Sequence, residues 1–386
     1  MNPNNKFLMK LVKSSVYNEM PPNIKENINW EYIYEKAKEQ NIVGLVYYTL
    51  IKLNTNFLLD EKLMSAFNSC MLSTVTTCTK QYAEFFAVNK LMRDNGITFI
   101  GLKGCILRNM YPVPELRTMG DFDILTSETD LPRLKKLFNE RGYEIENDAY
   151  GIICKKGIVY WEIFTTIAEE FAINPEKWDK LYFSETTEMY GITCPAPTYF
   201  FLHLIIHTGK HLTGSGAGIR NFCDIALFLQ KYKEEIDFNI IGKACKEQGY
   251  FKVYKYIMAA MKQFWDIEFD MDIPEKDVDL LFDYMLLYGI YGKHDNSVVS
   301  QLIKRKNENE SFVRKLFFPS VQVLKDRYKY LEKYPFLLPV TWVHRFFSGI
   351  FRLKYSVKQM LGDTGDASRF VEERRKWLKK LDLRDK

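Results

Sequence analysis

The chain of 386 residues carries 54 basic and 49 acidic side chains, a formal charge of +5, and is 47% hydrophobic, 27% charged and 15% aromatic. That length predicts two or three domains, the composition argues against long disorder, and the slight charge gives no ground for expecting nucleic acid as a partner. Seven scattered cysteines without a Cys-x-x-Cys pair fit the reduced thiols of a cytoplasmic protein better than a disulfide frame or a zinc ribbon.

The apolar residues after Met1 to Lys6 are broken by Lys10 and Lys13, so no signal-peptide core is expected. From Trp30 to about Arg93 the period is helical: Ile33, Tyr34 and Ala37 follow Trp30, then come runs over 43–53 and 63–92. Asp94-Asn95-Gly96 ends the last of these, and Ile97 to Ile100 predicts a short buried strand running into Gly101-Leu102-Lys103-Gly104 and a helix over 105–110. Phe122 to Leu125 predicts a strand, Asp130-Leu131-Pro132 opens a helix that Arg141-Gly142 closes, and strands are expected over 143–146, 150–155 and 158–165. Pro195-Ala196-Pro197 marks a boundary, beyond which 198–212, 219–232, 240–248, 253–264 and 278–287 are helical in period. The expectation is a helical N-terminal region over 1–95, an α+β core over 96–195 and a helical C-terminal domain over 196–386.

The apolar stretch Tyr334 to Leu353 is interrupted by Pro335, Pro339, His344, Arg345 and Arg352, so a buried helix is expected there rather than a transmembrane segment, with a peripheral membrane contact as the alternative. Lys304-Arg305-Lys306, Arg314-Lys315, Lys325, Arg327, Arg374-Arg375-Lys376 and Lys379-Lys380 make the last third basic, as a solvated helix face or as a surface that meets phosphate.

Chemistry concentrates around Asp121 and Asp123. On a strand both carboxylates face one side and Phe122 the other, and two carboxylates held so repel unless a cation sits between them. Asp-x-Asp is also common in surface turns. Upstream, Gly104 stands where a strand meets a helix, a place where free amides can hold a phosphate, with Lys103 as an adjacent cation; a glycine turn beside a solvated lysine is the alternative. Arg117 is close enough to reach the same phosphate, or to pair with Glu115 or one of the aspartates. Glu162 is the one acidic residue in Val159-Tyr160-Trp161-Glu162-Ile163-Phe164. A carboxylate among apolar residues needs a partner, which metal coordination or a solvent-facing edge would supply. Glu169 and Glu170 lie outside that strand.

Ile100-Gly101-Leu102-Lys103-Gly104-Cys105, Tyr111-Pro112 and Leu116-Arg117-Thr118-Met119-Gly120-Asp121-Phe122-Asp123-Ile124-Leu125 together resemble an uncharacterised nucleotidyltransferase family of the DNA polymerase beta-like superfamily. The resemblance extends more loosely from Pro197 through His211 to Asp224-Ile225-Ala226-Leu227, covering about 85–232. It implies an α+β fold with a polymerase beta-like core, a nucleoside triphosphate donor, with ATP expected, and magnesium held by Asp121, Asp123 and Glu162. The broader superfamily usually has Gly-Gly or Gly-Ser where this chain has Gly104-Cys105, which removes a serine hydroxyl from the triphosphate site. Phe164 stands where close relatives often place a histidine.

His203, His207 and His211 recur at helical spacing and share one face. The spacing is that of zinc-binding helices, but Leu204 occupies the place where a zinc protease has its glutamate, so that reading is rejected. The expectation is a polar face turned towards the core, with His207 or Lys210 touching nucleotide phosphates; a buried hydrogen-bonded histidine pair is the alternative, with Asp224 orienting one of them or capping the next helix. The function expected is magnesium-dependent transfer of a nucleoside monophosphate to a hydroxyl on a small molecule or a protein, with two Mg2+ ions at the site. A silent nucleotide- or partner-binding module and a phosphotransferase are the alternatives.

Overall fold

A computed structural model describes residues 1–20, 22–23, 28–52, 59–213 and 216–288, and in the C-terminal part 328, 330, 334–342 and 379–381. The chain divides into two compact units, Met1–Lys293 and His294–Lys386. In the second unit the described part of the apolar stretch is a 3-10 turn, Pro335–Leu337, followed by helix over 338–342, with Thr341 buried and Phe336 and Val340 exposed. The rest of that stretch and every basic cluster before Lys379 lie outside the described residues. Among the described residues no helix is long and apolar enough to cross a membrane, and all seven cysteines are free thiols.

The first unit opens with four helices, α1 (Pro3–Tyr17), α2 (Trp30–Glu39), α3 (Val43–Lys52) and α4 (Glu61–Asp94). Asn2, Asn29 and Asp60 cap α1, α2 and α4 by accepting the backbone N–H three residues on, which satisfies donors that a helix start leaves free. At the end of α4, Gly96 takes φ +60° and the Ile97 N–H bonds back to the Met92 carbonyl. This cap shortens the expected strand: β1 is Ile100–Gly101, not 97–100, because Ile97 already belongs to the helix end.

After β1 come α5 (Gly104–Leu107) and a 3-10 turn, Arg108–Met110, in place of one continuous helix. Then follow β2 (Phe122–Leu125), α6 (Leu131–Glu140), β3 (Glu144–Asp148), β4 (Gly151–Lys156) and β5 (Val159–Phe164). The sheet order is β1-β2-β5-β4-β3, with β2 and β5 parallel and the other pairs antiparallel. It is a mixed sheet flanked by helices, as the α+β reading expects. β4 and β5 join through a two-residue turn in which Gly157 has φ +58°.

The side of the sheet away from the cleft is aromatic. Phe122 and Trp161, paired across β2 and β5, are fully buried against Phe85 of α4 and Phe138 of α6, with ring centroids 4.8–5.4 Å apart. Such ring packing makes a stiff floor under the two strands.

Residues 166–195, for which periodicity set no element, form α7 (Pro175–Ser184) and a hairpin of β6 (Thr186–Met189) and β7 (Ile192–Pro195), turned by Tyr190 and Gly191, both at positive φ. Gly101 needs its missing side chain here, since a Cβ would sit 2.7 Å from Ile192 Cγ2. The helices α8 (Pro197–Thr213), α9 (Ile219–Tyr232), α10 (Phe238–Glu247), α11 (Phe251–Trp265) and α12 (Glu275–Tyr288) complete the unit.

These helices are bonded to the N-terminal ones. The fully buried amide of Gln40 donates to the Met285 carbonyl at 2.8 Å and accepts from Ile219 N–H at 3.0 Å, tying α12 and the start of α9 to the end of α2. Asn5 donates to Asp283 at 2.7 Å and the Met1 amine to Asp279 at 3.1 Å.

Candidate active site

A cleft of about 370 Å³ opens between the polar side of β2 and β5 and the helices α8 and α9, and Lys103, Gly104, Arg117, Asp121, Asp123, Glu162, His207 and Lys210 all line it. These eight, expected from the sequence to hold metal or nucleotide, therefore share one cavity. The parallel register places Asp123 directly opposite Glu162, while the alternation of each strand sends Phe122 and Trp161 to the other side. Asp121, just ahead of β2, returns to the same side, and one carboxylate oxygen of each of Asp121, Asp123 and Glu162 lies within 4.8 Å of the others.

Three carboxylates so close need positive charge. Asp123 is 2% exposed, and its Oδ1 has Lys103 Nζ at 2.6 Å but no hydrogen bond of good geometry. Burial pushes the Asp123 carboxyl up to about 8, with Asp121 and Glu162 adding repulsion and Lys103 opposing it. Glu162 is raised for the same reasons, burial first and then Asp121. One lysine does not balance this cluster. A divalent cation would, and an all-oxygen donor set suits magnesium.

Lys103 is itself unusual. Its φ of +39° is uncommon for a residue with a side chain. Burial works against its charge, but Asp123, Glu170 and Asp121 outweigh that and raise its pKa above the ordinary lysine value. In the turn that follows, the amides of Cys105, Ile106 and Leu107 are already bonded to the carbonyls of Leu102 and Lys103. Gly104 is held tight: a Cβ there would lie 2.9 Å from Met119 Sδ and 3.0 Å from Arg117 Nη1.

Arg117 is buried, and its charge is matched within the protein. Its Nε and Nη2 donate to the two oxygens of Asp224 on α9, each at 2.8 Å, and Tyr111 adds a third bond to Asp224 Oδ1 at 2.8 Å. Glu115, the alternative partner of Arg117, instead pairs with Arg108 at 3.5 Å. Asp224 thus orients Arg117 rather than a histidine, and it joins the segment before β2 to α9.

The histidines of α8 meet the segment after β5. His207 Nδ1 lies 3.3 Å from Glu170 Oε1, and His211 Nε2 lies 2.9 Å from His207 Nε2. Lys210 pairs with Glu169 and reaches Glu170 at 3.7 Å. Burial lowers all three imidazoles, His203 and His211 to about 4 and His207 well below its usual value, so they are neutral near pH 7. Burial would raise Glu170, but the His207 bond and the nearby positive charge of Lys103 and Lys210 hold it well below the usual carboxylate range.

Arg220, in the first turn of α9, is a cleft residue that the sequence reading did not select. Its Nη1 donates to the Thr118 carbonyl, while its buried Nε has no hydrogen-bond partner among the described residues. The signal available in the sequence is its place one helical turn before Asp224.

The description "Uncharacterised nucleotidyltransferase" belongs to the family that matches residues 26–266. A comparison with curated proteins finds no match. Among solved structures, the crystal structure of ANT(2'')-Ia in complex with adenylyl-2''-tobramycin is similar at 11% identity and a TM-score of 0.33, over 45% of this chain and 98% of that one. The solution structure of the antibiotic-resistance factor ANT(2'')-Ia gives 11% identity and a TM-score of 0.32, over 50% of this chain and 98% of that one. Likenesses of that size carry no weight about activity; the family match, which spans most of the chain and contains the whole carboxylate cluster, does, and the protein belongs to the uncharacterised nucleotidyltransferase family.

Proposed function

We propose that the protein transfers a nucleoside monophosphate from a nucleoside triphosphate to a hydroxyl acceptor, releasing pyrophosphate, on magnesium held by Asp121, Asp123 and Glu162. The observation that carries this reading is the convergence of Asp121, just ahead of β2, with Asp123 and Glu162, paired in register on two parallel strands, beside a buried lysine. Bound there, two magnesium ions would polarise the phosphoryl oxygens and offset the charge that builds during displacement.

The chain's own residues supply position and charge. Lys103 and Arg220 hold the triphosphate, and Arg117, fixed by Asp224 and Tyr111, shapes the wall at Gly104. The acceptor oxygen forms a bond to the alpha phosphorus, the bond from that phosphorus to the bridging oxygen breaks, and pyrophosphate leaves with the electron pair. Glu162 takes the acceptor proton. The acceptor is a small molecule or a protein side chain, and ATP is the expected donor.

The test is to incubate the protein with magnesium and each triphosphate, labelled at the alpha or at the gamma phosphate, alone and with cell extract. Transfer of the alpha label with pyrophosphate release is expected. Transfer of the gamma label with nucleoside diphosphate release would make it a phosphotransferase, and binding without transfer to any acceptor would make it a silent module.

Arg220 gives a separate test. Its unpartnered Nε fits a phosphate oxygen, and a hydrogen bond to a charged group is worth about 1.5–3 kcal/mol. Arg220→Ala is therefore expected to weaken triphosphate binding roughly tenfold to hundredfold in an equilibrium titration. An unchanged dissociation constant would remove Arg220 from the phosphate site.

A further inference from the structure

Glu170, His203 and His207 form a cluster distinct from the carboxylate triad, and one donor atom of each lies within 4.8 Å of the others. His203 and His207 stand one turn apart on α8 with rings nearly parallel, 9° between planes and 6.0 Å between centroids. Glu170 comes from the turn after β5, where Asp179 of α7 accepts from the Thr166 hydroxyl and from Ile167 N–H, both at 2.7 Å. Two separate elements thus deliver the three donors, and Leu204 does not bear on metal binding, because the glutamate that a zinc protease has there is a general base rather than a ligand.

His203 has no explanation in the nucleotidyl-transfer site. It is 2% exposed, and neither ring nitrogen has a hydrogen-bond partner among the described residues. A buried imidazole with both nitrogens unmatched is costly unless something else bonds to it. The Glu170–His207 contact is also informative: 3.3 Å is longer than the roughly 2.7–2.9 Å of a charge-assisted hydrogen bond.

We infer that Glu170, His203 and His207 bind one divalent transition metal of the zinc type, with a fourth position open to the cleft. Two imidazoles and a carboxylate favour zinc over magnesium, which prefers oxygen donors alone. The open position follows from Glu170 and His207 lining the cleft, and three protein ligands with one open position is the pattern of zinc sites that meet a substrate. Lys210 stands 3.7 Å from Glu170, farther than from Glu169, its nearer partner of the two.

The experiment uses the full chain, stripped with a chelator and titrated with zinc alone in competition with a chromophoric chelator, without nucleotide. One tight equivalent per chain is expected. It should persist in the double variant Asp121→Asn with Asp123→Asn, which separates this site from the magnesium site, and weaken by roughly a hundredfold or more in His203→Ala and in Glu170→Gln. Melting curves identify which variants are folded, and either one suffices. Cobalt in place of zinc should give the visible bands of a four-coordinate ion in the wild-type chain. Absence of a tight equivalent, absence of those bands, or unchanged affinity in a folded variant overturns the inference. Because no turnover is measured, the outcome does not depend on whether the protein transfers nucleotides.

Discussion

Replacing Asp121 and Asp123 together by asparagine is expected to lower nucleotidyl transfer by roughly a thousandfold or more, since several kcal/mol of phosphoryl charge stabilisation is lost and about 4 kcal/mol corresponds to that factor. The change keeps side-chain size and removes repulsion within a cluster in which burial and its acidic neighbours raise the Asp123 carboxyl. The change also takes two of the three carboxylates that face the buried Lys103, leaving Glu170, so the melting temperature should fall modestly while the fold survives. Turnover is measured with the alpha-labelled triphosphate, and circular dichroism reports the fold. Transfer within tenfold of the wild type in a folded double variant would sink the assignment of these carboxylates.

Asp224→Ala is expected to destabilise the protein by about 3–5 kcal/mol, because it leaves the buried Arg117 guanidinium without its counter-charge. Asp224 accepts from Arg117 twice and from Tyr111 once, each at 2.8 Å, and all three side chains are nearly closed to water. The paired change Arg117→Met with Asp224→Leu removes both charges and should cost less than Asp224→Ala alone. Denaturant midpoints for the three chains measure this. Unfolding of Asp224→Ala at the wild-type midpoint would mean that the pair does not hold the segment before β2 against α9.

Much of the carboxylate cluster was legible because its signals are local. The period-two alternation of Phe122-Asp123-Ile124 and Trp161-Glu162-Ile163 gives each carboxylate its side of the sheet, and the isolated charge of Glu162 in an apolar strand marks it out. The helices of 61–94 and of 197–265 were legible from their period and stop signals. The strand at 97–100 was displaced because the helix cap at Ile97 uses the same residues. The hairpin at 186–195 was missed because its turn, Tyr190-Gly191, puts a bulky residue at positive φ where Asn or Asp would have announced it.

The roles of Arg117, Asp224, His203 and Arg220 were out of reach for a different reason. Each depends on a partner far along the chain: 107 residues separate Arg117 from Asp224, and 37 separate Glu170 from His207. Spacing rules carry a few residues along a helix or strand and say nothing at that range. By itself the sequence determined the strand that bears Asp121 and Asp123, the family motif around it, and the shared face of the α8 histidines, since these are set by backbone period. Only the tertiary structure decided which charges meet. It set Glu162 opposite Asp123, matched Arg117 to Asp224 and brought Glu170 to the histidines, because burial makes each of those pairings a matter of which element packs against which.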